Sequence, residues 1–132
     1  MPAPPVDRTI VTSSAAPAAL GPYSQAVLHG ATLYCSGTIA FDADLGAVIG
    51  GGPAREATRC LENLAAVCAA AGTSLSAALR LTVYTTRLDA FADVNAAYAA
   101  FFPSAPPARV TIGVADLPFG ATVEIDAIVA CG

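Results

Sequence analysis

Apolar residues recur along this chain with two different periods. Between Pro53 and Gly72, the residues Ala57, Cys60, Leu61, Leu64, Cys68 and Ala71 fall at the spacing of one helical face. Pro53 suits a first helical turn, and Gly72 suits the position just past the last one. A second helix is predicted from Asp89, read as its N-cap, to Pro103, which stops it. Its inner stripe is Phe91, Val94, Asn95, Tyr98 and Phe101 or Phe102. Elsewhere the period is two. Thr9–Ser13 reads as a short strand, and Leu79, Leu81 and Val83 alternate with Arg80, Thr82 and Tyr84. Gln25–His29 and Thr32–Ser36 flank His29-Gly30-Ala31 as a hairpin. Val110–Ala115 and Ala121–Ala130, joined by Asp116–Gly120, read as another. The Pro-rich residues 1–8 are expected to be loose, Ala15–Tyr23 a loop, and Phe41–Gly52 a turn-rich connection.

The resulting order, β-β-β-α-β-α-β-β, predicts an α+β fold in one domain over residues 1–132, with two helices on one face of a sheet. Leu28, Leu33, Val83, Val114, Val123, Ile125, Ile128 and Val129 supply apolar residues on both parities of the strands. The second face therefore needs a cover, and another subunit is the simplest one. Composition strengthens this. Hydrophobic residues make up 55% of the chain and charged residues only 12%, where about 25% charged is ordinary. A membrane span would need about 20 unbroken apolar residues, and Gly, Pro or a charge interrupts every stretch. Nothing near the N-terminus resembles a signal peptide. Cys35, Cys60, Cys68 and Cys131 lie in apolar settings without CxxC spacing, so buried free thiols in a reducing, cytoplasmic compartment are expected.

The charge pattern removes several classes of chemistry. The net charge is −4, with six scattered arginines and no lysine. That balance argues against a nucleic-acid partner. Without lysine, no side chain forms a Schiff base with a carbonyl substrate or pyridoxal phosphate. His29 is the single histidine, which disfavours a histidine-rich metal site and a Ser-His-Asp triad. Gly50-Gly51-Gly52 precedes a helix, but the Walker lysine of a phosphate loop is missing.

Two charged residues remain as candidates. Arg109 follows Pro106-Pro107-Ala108 and opens a strand, a rigid mount for a guanidinium that grips a carboxylate through two parallel hydrogen bonds. Glu124 lies inside the apolar run Thr122–Ile128 and shares a strand face with Asp126. Burial there raises a carboxyl pKa and makes a usable general acid or base, whereas a solvent-facing Glu124 is the plain alternative. Asn95 interrupts an apolar stripe and is expected to tie down a loop by hydrogen bonds. Tyr23 and Ser24 sit in a loop before a strand, placed either to reach a site or to pack. At Ser36-Gly37 a glycine lets a ligand approach the backbone.

Taken together, these positions belong to a longer pattern. Ala16-Pro17-x-x-x-Gly21-Pro22-Tyr23-Ser24-Gln25-Ala26, Ser36-Gly37, Leu61-Glu62-Asn63-Leu64 and Ala71-Gly72 resemble signatures of the RidA/YjgF family, the reactive intermediate deaminases. So do Phe91-x-x-Val94-Asn95-x-x-Tyr98-x-x-Phe101-Phe102, Pro107-Ala108-Arg109 and Leu117-Pro118-x-Gly120-Ala121-x-Val123-Glu124-Ile125. The match runs from about residue 9 to residue 130, in order. The resemblance implies a chorismate-mutase-like fold with a mixed sheet and a homotrimer with sites at subunit interfaces. It also implies hydrolysis of enamines and imines such as 2-aminoacrylate and 2-iminopropionate to 2-keto acids and ammonia, with no metal or organic cofactor. Arg109 would then hold the substrate carboxylate, Glu124 would orient or activate water, and Tyr23, Ser36, Gly37 and Asn95 would line the pocket. Thr111 stands where the family often has a cysteine. It keeps a hydrogen-bonding group for the substrate but not a thiol's reactivity. Thr38 replaces a family glutamine, and the residues around Glu56 and Arg59 also depart from the pattern. These departures keep a second reading open, a small-carboxylate binding or regulatory module, or a pathway-specialised member of the family. An RNA-directed activity is the third, and the acidic balance opposes it.

Overall fold

A computed structural model of the chain describes residues 2–3 and 6–132. Its strands are β1 (Thr9–Val11), β2 (Ala26–His29), β3 (Thr32–Ile39), β4 (Phe41–Asp42), β5 (Ala47–Val48), β6 (Ala78–Thr85), β7 (Ala108–Gly113) and β8 (Val123–Ala130). Its helices are α1 (Pro53–Ala70) and α2 (Phe91–Ala99). Six strands form one mixed sheet in the order β1-β2-β3-β8-β6-β7, and β4 and β5 make a small separate hairpin inside the turn-rich connection. The expected element order is present, as is the hairpin of β2 and β3. The expectation for residues 1–8 falls in part on residues 1, 4 and 5, which lie outside the described residues. Among the described residues, no helix is long and apolar enough to cross a membrane.

The predicted α1 stripe faces the sheet: Ala57, Cys60, Leu61, Leu64 and Cys68 are all buried against it, joined by Val67. Gly72 ends the helix at φ +82°, a conformation only glycine takes without strain. Leu33, Leu81, Val83, Val123, Ile125, Ala127 and Val129 complete the core from the strands. Cys35, Cys60 and Cys68 are buried and Cys131 half-buried, all as free thiols.

Four sequence expectations change. The last two strands do not form a hairpin: β7 pairs in parallel with β6, and β8 inserts between β3 and β6. The physical reason is visible in β8 itself, whose apolar residues on both parities suit a central strand. Strand β7 instead follows α2, and a helical crossover delivers a strand parallel to the one it left. Asp89 does not cap α2. It lies in a short 3₁₀ turn, Leu88–Ala90, where both its oxygens accept hydrogen bonds from Arg87 at 2.8 Å, a two-pronged pairing that takes the carboxylate away from the helix end. Phe91 is 42% exposed and does not join Val94, Tyr98 and Phe102 in the core. Leu79 is also exposed, because the β6–β8 register slips between Ala78 and Arg80 and breaks the alternation with Leu81.

Both helices cover one face of the sheet. On the other, Tyr34, Val110 and Ile112 are each nearly half exposed.

Candidate functional site

Strand alternation assigns the candidate residues to two faces. On β7, Arg109 and Thr111 pair with Leu81 and Val83 of β6, both core residues, so they share the helix-covered face. On β8, Glu124 lies between the buried Val123 and Ile125 and points to the opposite face, together with Asp126. Strands β7 and β8 are separated by β6, a gap of about 10 Å at ordinary strand spacing. One chain therefore does not bring Arg109 and Glu124 together.

The Arg109 cluster sits at the sheet edge under α2. Arg109 Nη1 donates to Asn95 Oδ1 at 2.7 Å. The guanidinium carbon lies 4.9 Å from the centre of the Tyr98 ring and 5.7 Å from that of Phe91, distances at which a ring face attracts a cation. Asn95 thus holds Arg109, not a loop. The helical stripe Phe91-x-x-x-Asn95-x-x-Tyr98 explains the arrangement, since residues three and four apart meet on one helix face. The ion pairs of the described residues involve Arg59 and Arg87, and none includes Arg109. Arg109 itself lines a concavity of about 380 Å³ whose walls include Phe102, Pro106 and Pro107. Two hydroxyls nearby, Tyr98 Oη and Thr111 Oγ1, are buried without a hydrogen-bond partner. Burial pushes the Tyr98 phenol pKa up, and the adjacent Arg109 charge opposes that rise.

The Glu124 cluster occupies a larger cavity of about 470 Å³ that also touches Tyr23, Ser36 and Gly37. Gly37 lies in a register irregularity of the β3–β8 ladder. A Cβ there would stand 2.1 Å from Glu124 Oε2, so only a glycine leaves the carboxylate this position. Burial raises the Glu124 pKa, and the negative charge of Asp126 raises it further. Asp126 is itself held by the Thr82 N–H at 3.2 Å and the Tyr84 hydroxyl at 3.0 Å. Ser36 donates its hydroxyl proton to Ser24 O at 2.6 Å, fixing the loop beside the strand. Tyr23 Oη accepts the Leu20 N–H at 3.2 Å and stays half exposed at the cavity rim. Glu124 is thus a half-buried carboxyl of raised pKa, and among the described residues Arg109 has no carboxylate partner.

Sequence reasoning missed three contributors. Glu56 is a buried carboxylate that accepts the Thr122 N–H at 2.8 Å and the Thr122 hydroxyl, anchoring the start of β8 two residues before Glu124. Its position in a helical first turn gave no signal of that long-range bond. Tyr98 read as a core stripe residue, and Phe119 as a turn residue. Among the described residues, no group of three or more His, Cys, Asp or Glu side chains could hold a metal ion.

Comparison with known proteins gives this arrangement its context. The family model described as Endoribonuclease L-PSP matches residues 13–131. The 2-iminobutanoate/2-iminopropanoate deaminase of Bos taurus is 42% identical over 125 residues, covering 95% of this chain and 91% of that protein. The structure of RidA from an Antarctic Psychrobacter superposes with a TM-score of 0.87 at 38% identity, covering 92% of this chain and 98% of the other. The structure of E. coli TdcF with bound serine does so with a TM-score of 0.88 at 34% identity, covering 94% and 99%. The sheet with its two helices is accordingly the chorismate-mutase-like fold, and a family match spanning nearly the whole described chain, with relatives at about 40% identity, means that this chain belongs to the RidA/YjgF family.

Proposed function

We propose that this chain is an enamine/imine deaminase that hydrolyses 2-imino acids to 2-keto acids and ammonia. The observation that carries this reading is the pair of half-sites: a guanidinium without an ionic partner on one face, and a carboxyl of raised pKa beside a glycine on the other. The resemblance to 2-iminobutanoate/2-iminopropanoate deaminases supports it.

The chemistry follows from the two groups. Arg109 binds the substrate carboxylate through two N–H donors and fixes the imine carbon by proximity. The Glu124 carboxylate takes a proton from a water molecule as the oxygen adds to that carbon, and the imine nitrogen gains a proton. The resulting carbinolamine then collapses. The proton Glu124 took from water has passed to the nitrogen, so the carboxylate is free to accept the hydroxyl proton and relay it to the amine; the C–N bond then breaks and ammonia leaves as the carbonyl forms. Asn95 holds Arg109 in place. Tyr23, Ser36 and Gly37 shape the Glu124 side, and the Thr111 hydroxyl serves the Arg109 side. The step needs no metal and no organic cofactor.

Each working site requires two chains, because the half-sites face opposite ways. The residues form one domain that assembles as a homotrimer, with the open sheet face and its Tyr34, Val110 and Ile112 covered by neighbouring copies. The free buried thiols suit a reducing cytoplasm, and the acidic balance fits neither nucleic acid nor a membrane surface as partner.

Complementation tests this arrangement. Arg109→Ala and Glu124→Gln are each expected to be inactive on imines made in situ. Co-refolded in equal amounts, they should regain about one quarter of wild-type activity, the share of interfaces carrying both intact halves in randomly mixed trimers. No regain in mixed trimers would overturn the shared site. Binding of a 2-keto acid in calorimetry, with imine hydrolysis no faster than in buffer, would instead favour the non-catalytic carboxylate-binding reading.

A further inference from the structure

The cavity beside Glu124 is much larger than a three-carbon imino acid requires. Its 470 Å³ lies within the range of pockets that hold ligands several times that size. What its walls offer is decided by counting their protons. Both Gln25 Nε2 protons are committed, to Ser13 O at 3.1 Å and Pro17 O at 2.8 Å. Both Asn63 Nδ2 protons go to Thr38 Oγ1 and Ile39 O, at 3.1 and 3.2 Å. The Ser36 hydroxyl is spent on Ser24 O, and the Thr38 hydroxyl donates to Ile39 O at 3.3 Å. Among the described lining residues, the Tyr23 hydroxyl proton is the one side-chain donor left uncommitted. Among the described residues of this chain, Glu124 is the one charged residue of the wall.

The rest of the wall is apolar, and its rim is aromatic. Phe41 and Phe119 pack with ring centres 5.1 Å apart. Phe119 is 60% exposed and its backbone sits at φ +57°, an uncommon conformation for a residue with a side chain. Leu20 stands half exposed in the same cavity. Within one chain such a rim has no cation and only one free hydroxyl donor behind it, and the neighbour's Arg109 is occupied by the substrate's own carboxylate, so an acidic side chain is left unpaired and desolvated, which is costly. The rim gains apolar contact with an aliphatic or aromatic one.

We propose that the cavity bounded by Leu20, Phe41 and Phe119 is the substrate side-chain pocket, and that it selects 2-imino acids bearing branched aliphatic or aromatic side chains over acidic ones. This specificity rests on the deaminase reading of the same site. It assigns Phe119 as the main discriminating residue, because its ring closes the apolar rim.

The test uses the full chain and imines generated in situ by amino-acid oxidases from alanine, leucine, phenylalanine and glutamate. Keto-acid release above the spontaneous rate gives kcat/KM for each. The leucine and phenylalanine imines are expected to exceed the glutamate imine by at least about tenfold, the discrimination ordinary for an apolar pocket. Phe119→Ala should lower the leucine-to-alanine ratio by about tenfold, and Phe41→Ala should lower it in the same direction. If the imines are hydrolysed but the glutamate imine does as well as the leucine imine, or neither variant moves the ratio, the pocket assignment falls and the deaminase reading stands. If no imine is hydrolysed faster than in buffer, the deaminase reading itself falls, and the specificity falls with it.

Discussion

Gly37→Ala isolates the geometry of Glu124 from the stability of the fold. The added Cβ would stand 2.1 Å from Glu124 Oε2, 3.1 Å from its Cδ and 3.3 Å from its Cγ. Ordinary contact begins at about 3.5 Å, so the carboxylate must retreat by more than about 1 Å. A displacement of that size at a reacting group costs about 100-fold in rate. The fold should tolerate the change, because Gly37 does not occupy the positive-φ region and the clashing atoms end a flexible side chain. Alanine gains about 0.4–1 kcal/mol by restricting the unfolded chain, and forcing Glu124 off its rotamer costs about 0.5–1.5 kcal/mol. The two nearly cancel, leaving Tm within about 5 °C of wild type. Imine hydrolysis measured alongside thermal unfolding checks both halves. A folded Gly37→Ala protein within threefold of wild-type kcat/KM would refute the claim that Glu124 acts from its place over Gly37.

Three further outcomes are expected. Arg109→Lys keeps the charge but loses the two-pronged grip, so KM should rise about 10- to 100-fold, the worth of one charge-assisted hydrogen bond; steady-state kinetics on a single imine would show it. The acid limb of kcat/KM should lie above the ordinary carboxylate range, since burial and then Asp126 raise the Glu124 pKa and the base must be ionised. Asp126→Asn removes the smaller cause, so the limb should move to lower pH without reaching an unperturbed carboxylate's value. Ile112→Glu places a charge on the exposed sheet face. In sedimentation velocity the variant should run as a monomer where the wild type runs as the proposed trimer, with activity lowered more than about 100-fold, whereas an active, intact trimer would mean that this face is not the interface.

The helices were legible wherever local pattern and burial agree. The α1 stripe from Ala57 to Cys68 is buried as its spacing implies, because a helix against a sheet needs little more than one apolar face. Strand pairing was less legible. The turn between Val114 and Ala121 suggested a hairpin, yet the apolar residues on both parities of β8 marked a strand with neighbours on each side, and that signal outweighs proximity in sequence. Asp89 had the right residue type for a cap, but Arg87 two positions earlier offered its carboxylate a stronger partner. At the candidate site, residue types were readable and contacts were not. Nothing in the stripe of α2 announces that Asn95 faces Arg109 rather than a loop, and nothing local places Phe41 against Phe119.

Arg109 and Glu124 face opposite ways across the sheet, and no side-chain rotation within one chain reverses that. Arg109 shares the parity of Leu81 and Glu124 that of Asp126, on opposite sides of a sheet whose middle is filled by core residues. Relative to β6, Arg109 pairs with Leu81 and Glu124 with Tyr84, which adds about 10 Å along the strand to the spacing across it. An arginine side chain cannot span that path around an edge strand. If both residues act on one small substrate, a second chain must supply one of them. The surface that would bring it close is the one the chain leaves apolar and open. On the proposed reading assembly and catalysis are a single requirement, because the open sheet face carrying Tyr34, Val110 and Ile112 is the one a second chain would cover.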